Sequence, residues 1–241
     1  MRVAVISDIH ANLHALEAVA DAVDRESPDA IWCLGDLVGY GPEPNACCAW
    51  AVAHTQLSLV GNHDLGVIGT LDLAEFSEEA AAAARWTRGV LSSDSHDYLA
   101  SLAPSAEREG IGLFHGSPRN PVWEYVLTWD VARESMRRSS TDVTIVGHSH
   151  VPLAIGSEQT GTGGHAPDGT EVDFDGGRWL LNPGSVGQPR DGNAAAAWLL
   201  LDLEARHASF RREPYDVART QAEMREHRLP ETLAERLAYG V

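Results

Sequence analysis

Through the first two-thirds of the chain, short apolar runs alternate with longer stretches whose apolar residues recur every three or four positions. Residues 3–7 form an apolar run that stops at Asp8, as expected of a buried strand. Residues 12 to about 26 then put Leu13, Leu16, Ala20 and Val23 on one helical face. The alternation continues with strands at 29–34, 56–60, 111–114 and 142–146, and with helices from 44 to about 53 and at 77–90, 94–101 and 128–138. Pro44 suits the first turn of its helix. A strand–helix–strand pattern of this kind predicts a largely parallel sheet with covering helices.

After residue 150 the spacing changes. Residues 151–155, 171–174, 178–181, 195–201 and 208–212 read as strands joined by turns, which predicts a second, more antiparallel sheet packed on the first. Residues 157–169, rich in Gly and Thr, are expected to form a mobile loop, and residues 216–241 one or two closing helices. There is no internal repeat and no convincing linker, so a single α/β domain over residues 1–241 is expected.

The His, Asp and Asn residues fall at particular places in this pattern. Asp8 and His10 lie just past the first strand, Asp36 just past the second, and Asn62, His63 and Asp64 just past the third. His115 ends the Gly-Leu-Phe-His-Gly run, and His148 and His150 follow the strand at 142–146. In open α/β sheets the C-terminal strand ends line the crevice where ligands bind, so the pattern brings distant residues to one place. Gly35, Gly61 and Gly147 each directly precede one of these residues, where the chain must turn sharply. Asp8, His10, Asp36, Asn62, His115, His148 and His150 are too many ligands for one ion. A carboxylate shared by two ions completes two sites, and Asp36 is the natural bridge. The mixed oxygen and nitrogen set without Cys suits Mn²⁺, Fe or Zn²⁺, with Mn²⁺ favoured. Two metals about 3.5–4 Å apart can clamp the attacking and leaving oxygens of a phosphoryl displacement.

The blocks Asp8-Ile9-His10, Gly35-Asp36, Gly61-Asn62-His63-Asp64, His115 and Gly147-His148-Ser149-His150 occur in the order D-x-H, G-D, G-N-H-D/E, H, G-H-x-H. In this the chain resembles the calcineurin-like metallophosphoesterases, over residues 1 to about 190. It is most similar to the small bacterial phosphodiesterase-like members without a cap domain. The resemblance implies a four-layer α-β-β-α sandwich of mixed sheets with outer helices. It implies one ion on Asp8, His10, Asp36 and His150, and a second on Asp36, Asn62, His115 and His148, with a hydroxide between them as nucleophile. It also implies that His63 is the catalytic His that assists the leaving group. Asp64 is expected either to hold the His63 ring or to serve as a helix N-terminal carboxylate. Where related protein phosphatases read G-D-x-V-D-R-G, with the Arg clamping phosphate, this chain has Gly39 and Tyr40 in place of Asp and Arg. That substitution points to a phosphodiester over a phosphomonoester. The alternatives are a phosphomonoesterase acting on proteins or nucleotides, and a non-catalytic scaffold on the same fold. Tyr40, Arg119 and Arg190 are candidates for substrate contacts, each Arg equally readable as surface, and Trp123 and Trp129 read as core or interface.

Composition narrows the partners. Net charge is −17 and all eighteen basic residues are Arg. A long nucleic acid is therefore not expected as a partner, and a small phosphoester is. No run approaches the ~20 apolar residues of a membrane span. The N-terminal apolar run has no small-residue cleavage site, and the cytoplasm is the expected location. Cys33, Cys47 and Cys48 make a poor disulfide framework and read as buried thiols. Oligomeric state is left open.

Overall fold

The computed structural model describes residues 1–157 and 163–241. Its first half runs β1 (Arg2–Ile6), α1 (Leu13–Glu26), β2 (Ala30–Cys33), α2 (Pro44–His54), β3 (Leu57–Ser58), α3 (Asn62–Val67), α4 (Glu78–Val90) and α5 (Ser93–Ser101). Then follow β4 (Ser105–Arg108), β5 (Ile111–Phe114), α6 (Trp129–Arg138), β6 (Val143–Val146), β7 (Leu153–Gly156), β8 (Gly163–His165), β9 (Glu171–Asp173) and β10 (Trp179–Asn182). The chain closes with β11 (Ala196–Asp202), β12 (His207–Glu213), α7 (Val217–Glu226) and α8 (Glu231–Leu237). Side chains cap the helix starts: Asn12, Ser77, Ser92, Thr128 and Asp216 each accept a backbone N–H from the first turn.

The strands form two six-stranded mixed sheets, in the orders β3-β2-β1-β11-β12-β9 and β4-β5-β6-β10-β7-β8. Period-two burial explains how they stack. In β1, Ala4 and Ile6 join the cluster that includes α1 and α2, while Val3 and Val5 join the cluster between the sheets. In β11, Trp198 and Leu200 face the helices, and Leu199 and Leu201 face the other sheet. In the second sheet, Val143, Ile145 and Leu181 meet the first sheet, and Val146 and Leu180 meet α6. The result is the expected α-β-β-α order. Both faces of the central strands are buried, which is why they read as continuous apolar runs and not as alternating ones. Trp32 and Trp198, each at most 2% exposed, anchor the two sides of the first sheet. Burying a large apolar side chain is worth about 1.5–3 kcal/mol.

Three expectations need correction. The sheets do not divide at residue 150: β5 and β6 leave the first sheet for the second, and β9, β11 and β12 return to the first. Antiparallel pairing of β1 with β11 is what brings the late strand home. Residues 105–108, unforeseen because Ser-Ala-Glu-Arg is polar, pair with β5 as the edge of the second sheet. Of the loop expected at 157–169, residues 163–165 form β8 on β7; residues 158–162 lie outside the described residues. No helix among the described residues is long and apolar enough to cross a membrane.

Candidate metal-binding active site

The ends of β1, β2, β3, β5 and β6 deliver the predicted side chains to one buried cluster. Asp8, His10, Asp36, Asn62, His115, His148 and His150 are all at most 3% exposed. Their backbones are unusual. Asp8, His10, Asp36, His148 and His150 have φ of 54°, 50°, 51°, 62° and 58°. Non-glycine residues in this left-handed region cost roughly 1–3 kcal/mol each and persist only where surroundings enforce them. Here backbone bonds tie the loops to one another: Asp8 N–H to Gly35 O at 3.0 Å, His10 N–H to Asp36 O at 2.9 Å and Gly147 N–H to His115 O at 2.9 Å. The preceding glycines serve two purposes. Gly35, at φ 99°, makes the expected turn. At Gly61 and Gly147 the reason is close approach: a Cβ would collide with the Asp36 carboxylate and with Ser7 Oγ, respectively.

Two groups of ligand-type atoms emerge, one from Asp8, His10, Asp36 and His150, the other from Asp36, His115 and His148. His10 Nε2 and His150 Nε2 are 3.1 Å apart. His150 Nε2 is 3.4 Å from Asp8 Oδ1, and His10 Nε2 is 3.7 Å from Asp36 Oδ2. In the second group His115 Nε2 lies 3.4 Å from Asp36 Oδ2 and 3.2 Å from Asn62 Oδ1, which adds Asn62 to that set. Ring orientation is fixed from behind: His115 Nδ1 donates to Leu34 O at 2.9 Å and His150 Nδ1 to Gln188 O at 2.6 Å. Each therefore turns the lone pair of Nε2 inward, as metal-binding imidazoles do.

The residues fit divalent cations. Asp8 Oδ1, Asp36 Oδ2 and His148 Nε2 are buried and have no hydrogen-bond partner among the described residues. Leaving such atoms unsatisfied is costly, and cations held by the two groups would satisfy all three. The electrostatics agree. Burial disfavours charge on Asp36, but His115, His63 and His10 around it hold its carboxyl well below the usual range. Burial likewise opposes charge on His115, yet Asp36 and Asp8 raise it to about 9. Positive charge is thus wanted at the point where the lone pair of His115 faces two oxygens. Burial, aided by His115, pushes His148 down to about 3, so that ring is neutral and its nitrogen can accept a metal.

His63 sits beside this cluster, not within it. Its ring meets Tyr40 at 4.3 Å, His10 at 4.9 Å and Phe76 at 5.3 Å between centroids. Burial lowers it to about 4, so the ring is neutral at pH 7. Asp64 does not hold that ring. Its two oxygens accept the N–H groups of Val38 and Gly61, both at 3.0 Å. It caps α3 and ties the loop after Asp36 to the loop after β3.

Arg190 comes to the cluster, half-buried, with its guanidinium on Gln188 Oε1 at 3.0 Å and on the Tyr40 hydroxyl at 3.4 Å. Arg119 does not: it is exposed and makes a two-pronged ion pair with Glu124. Trp123, expected in the core or an interface, instead lies 6.5 Å from the His148 ring. Three contributions escaped sequence reasoning. Tyr125 stacks on His148 at 4.1 Å with the planes 4° apart. Asn182 donates to Gly147 O and Ser149 Oγ, both at 2.9 Å. Ser185 donates to Asp8 O at 2.8 Å. Asn182 and Ser185 belong to the Asn-Pro-Gly-Ser segment before Arg190, a turn signal that marked the loop but not its use.

Comparison with known proteins decides the family. Residues 1–206 match the calcineurin-like phosphoesterase superfamily domain. The chain belongs to that superfamily. A metallophosphoesterase from Sphaerobacter thermophilus shares 41% identity, covers 100% of this chain and 99% of its own, and superposes with a TM-score of 0.91. The uncharacterized protein MJ0912 of Methanocaldococcus jannaschii is 37% identical over 99% of this chain and 98% of its own length. The phosphodiesterase YfcE of Escherichia coli strain K12 is 25% identical over 83% of this chain and 87% of its own. As a member of this superfamily the protein is a hydrolase of phosphate esters, and its buried His/Asp cluster can hold metal.

Proposed function

We propose that the protein cleaves phosphodiesters with two divalent ions, one on Asp8, His10, Asp36 and His150 and one on Asp36, Asn62, His115 and His148. The observation that carries this reading is that the two ligand groups meet at one buried carboxylate, Asp36. Divalent ions bound there supply a nucleophile from water at neutral pH and offset charge on the phosphoryl oxygens. Mn²⁺ is the ion to test first.

The protein's own residues do the rest. Arg190, positioned by Gln188 and Tyr40, hydrogen-bonds a non-bridging phosphate oxygen. His63 presents a neutral N–H to the leaving oxygen, and its Nδ1 has no partner among the described residues. Preference for a diester rests on the cation count. With Arg119 committed to Glu124, Arg190 is the cation left from the two candidates, and it hydrogen-bonds the neutral oxygens of Tyr40 and Gln188. One guanidinium suits a singly charged diester better than a monoester dianion. The −17 background disfavours the dianion further. The phosphodiesterase name of the YfcE relative points the same way. The test compares kcat/KM for bis(p-nitrophenyl) phosphate and p-nitrophenyl phosphate on the Mn²⁺-loaded enzyme. Higher efficiency on the diester is expected; higher efficiency on the monoester overturns the assignment.

A further inference from the structure

The loop after His115 carries aromatic rings that metal binding does not require. It is held tightly: Gly116 N–H donates to Pro121 O at 2.7 Å, Ser117 N–H to Asn120 O at 3.0 Å and Trp123 N–H to Asn120 Oδ1 at 3.1 Å. Val126, fully buried against α6, pins its far end. Between these anchors Tyr125 remains 46% exposed, although it is a large aromatic ring on a segment tied at both ends. One face of it covers His148 in a parallel stack, and its hydroxyl faces Arg190. Trp123 extends the aromatic wall, 5.0 Å from Phe76, which in turn sits edge-on to His63.

Core packing accounts for neither the exposure nor the place of Tyr125. An aromatic face left open beside a phosphate-binding guanidinium is the arrangement that takes a planar group attached to a phosphate. We infer that Tyr125, flanked by Trp123, is a base-stacking subsite, and that the ligand is a nucleoside phosphate whose base lies on Tyr125 while its phosphate reaches Arg190 and the metal cluster. Stacking tolerates any base because each has a π face, so the subsite selects nucleosides as a class and not one base. The net charge of −17 keeps this to a mononucleotide-sized ligand. The inference deepens the phosphodiesterase reading by naming a substrate class.

The test is calorimetric and independent of turnover. Adenosine 5′-monophosphate and methyl phosphate carry the same charge and differ by the nucleoside, so the ratio of their Kd values on the Mn²⁺-loaded protein reads the subsite alone. The unaltered protein should prefer the nucleotide by on the order of ten-fold. Tyr125→Ala should collapse that ratio toward one, and Tyr125→Phe, which keeps the ring, should retain it. Disturbance of His148 by the Ala substitution would weaken both ligands together and leave the ratio standing. No nucleotide preference in the unaltered protein, or a ratio that survives Tyr125→Ala, overturns the subsite. Failure of the diesterase reading shows instead in the bis(p-nitrophenyl) phosphate assay.

Discussion

Gly61→Ala adds one methyl group and replaces no proposed ligand, yet it should disable the metal centre. The added Cβ would overlap Asp36 Oδ1 and stand 2.6 Å from Asp36 Cγ and 2.7 Å from Asp36 N. The carboxylate has little room to retreat. Asp36 is 1% exposed, its Oδ1 accepts His63 N–H at 2.9 Å, and its carbonyl accepts His10 N–H at 2.9 Å. If the side chain swings away, a hydrogen bond to a charged group is lost, costing about 1.5–3 kcal/mol. If the backbone yields instead, overpacking costs typically 1–3 kcal/mol. Either route moves the atom common to both ligand groups, so a loss of about 2–3 kcal/mol should appear in folding and in metal affinity at both sites. Denaturant unfolding of the metal-free protein, followed by Mn²⁺ titration, measures both. Gly89→Ala is the control: Gly89 lies in α4 with nothing within 4 Å of an added Cβ, and alanine there should be neutral or stabilise by up to about 1 kcal/mol. If Gly61→Ala matches the control in stability and in bound metal, the close-approach reasoning is wrong.

Other outcomes follow from the same geometry. His63→Ala should keep its metal, as measured by elemental analysis, while kcat falls about 10²–10⁴-fold, the usual contribution of a proton-transfer group; near-normal turnover would remove His63 from the chemistry. Asp36→Asn should lower occupancy of both ions and His10→Ala mainly of one, and a single ion per saturated unaltered chain would falsify the dinuclear assignment. Chelation should lower Tm, because the apo cluster keeps buried Asp8 Oδ1 and Asp36 Oδ2 without partners; an unchanged Tm would mean metal adds nothing to folding. Far from the site, His207 bonds Asp173 and Glu171, both at 2.7 Å, and these raise its pKa. A raised folded-state pKa gives stability that is full below the unfolded value near 6.5 and lost as pH climbs through the folded value. The stability deficit of His207→Gln should therefore shrink between pH 6 and pH 9, and solvent screening keeps it small; a deficit that grows with pH would contradict the pairing.

Much of the site was legible because its ligands follow strand ends, and strand ends are what apolar runs mark best. Asp8, Asp36 and His148 could be assigned to one crevice for that reason alone. What the sequence hid was pairing across distance. No local pattern tells that β5 and β6 join a different sheet from β1 and β2, since each strand is buried on both faces in either place. Tyr125 and His148 are 23 positions apart and meet only because β5 and β6 are neighbours. The pairing of Arg119 with Glu124 was more accessible, five positions along one loop, and the choice between surface and substrate was open until the geometry settled it. Asp64 shows the opposite limit: a carboxylate two positions after a ligand suggests a catalytic partner, but two backbone N–H groups claim it.

The pairing of β1 with β11 has a consequence for the order in which the chain can be built. Asp8 and His10 leave the ribosome first, but Ser7 O and Asp8 O accept Val186 and Gly187 N–H, both at 2.9 Å. Val3 and Val5 likewise wait for Leu201 and Leu199. A nascent chain that has emerged only to His150 has every proposed metal ligand and none of these later braces. Such an intermediate would have the left-handed turns at Asp8 and His10 braced from residues 35–36, without the later bonds to Ser7 O and Asp8 O. Contacts this far apart in sequence form late and slowly. Stable metal capture is therefore expected to follow the release of residues near 200, and not the appearance of the ligands themselves.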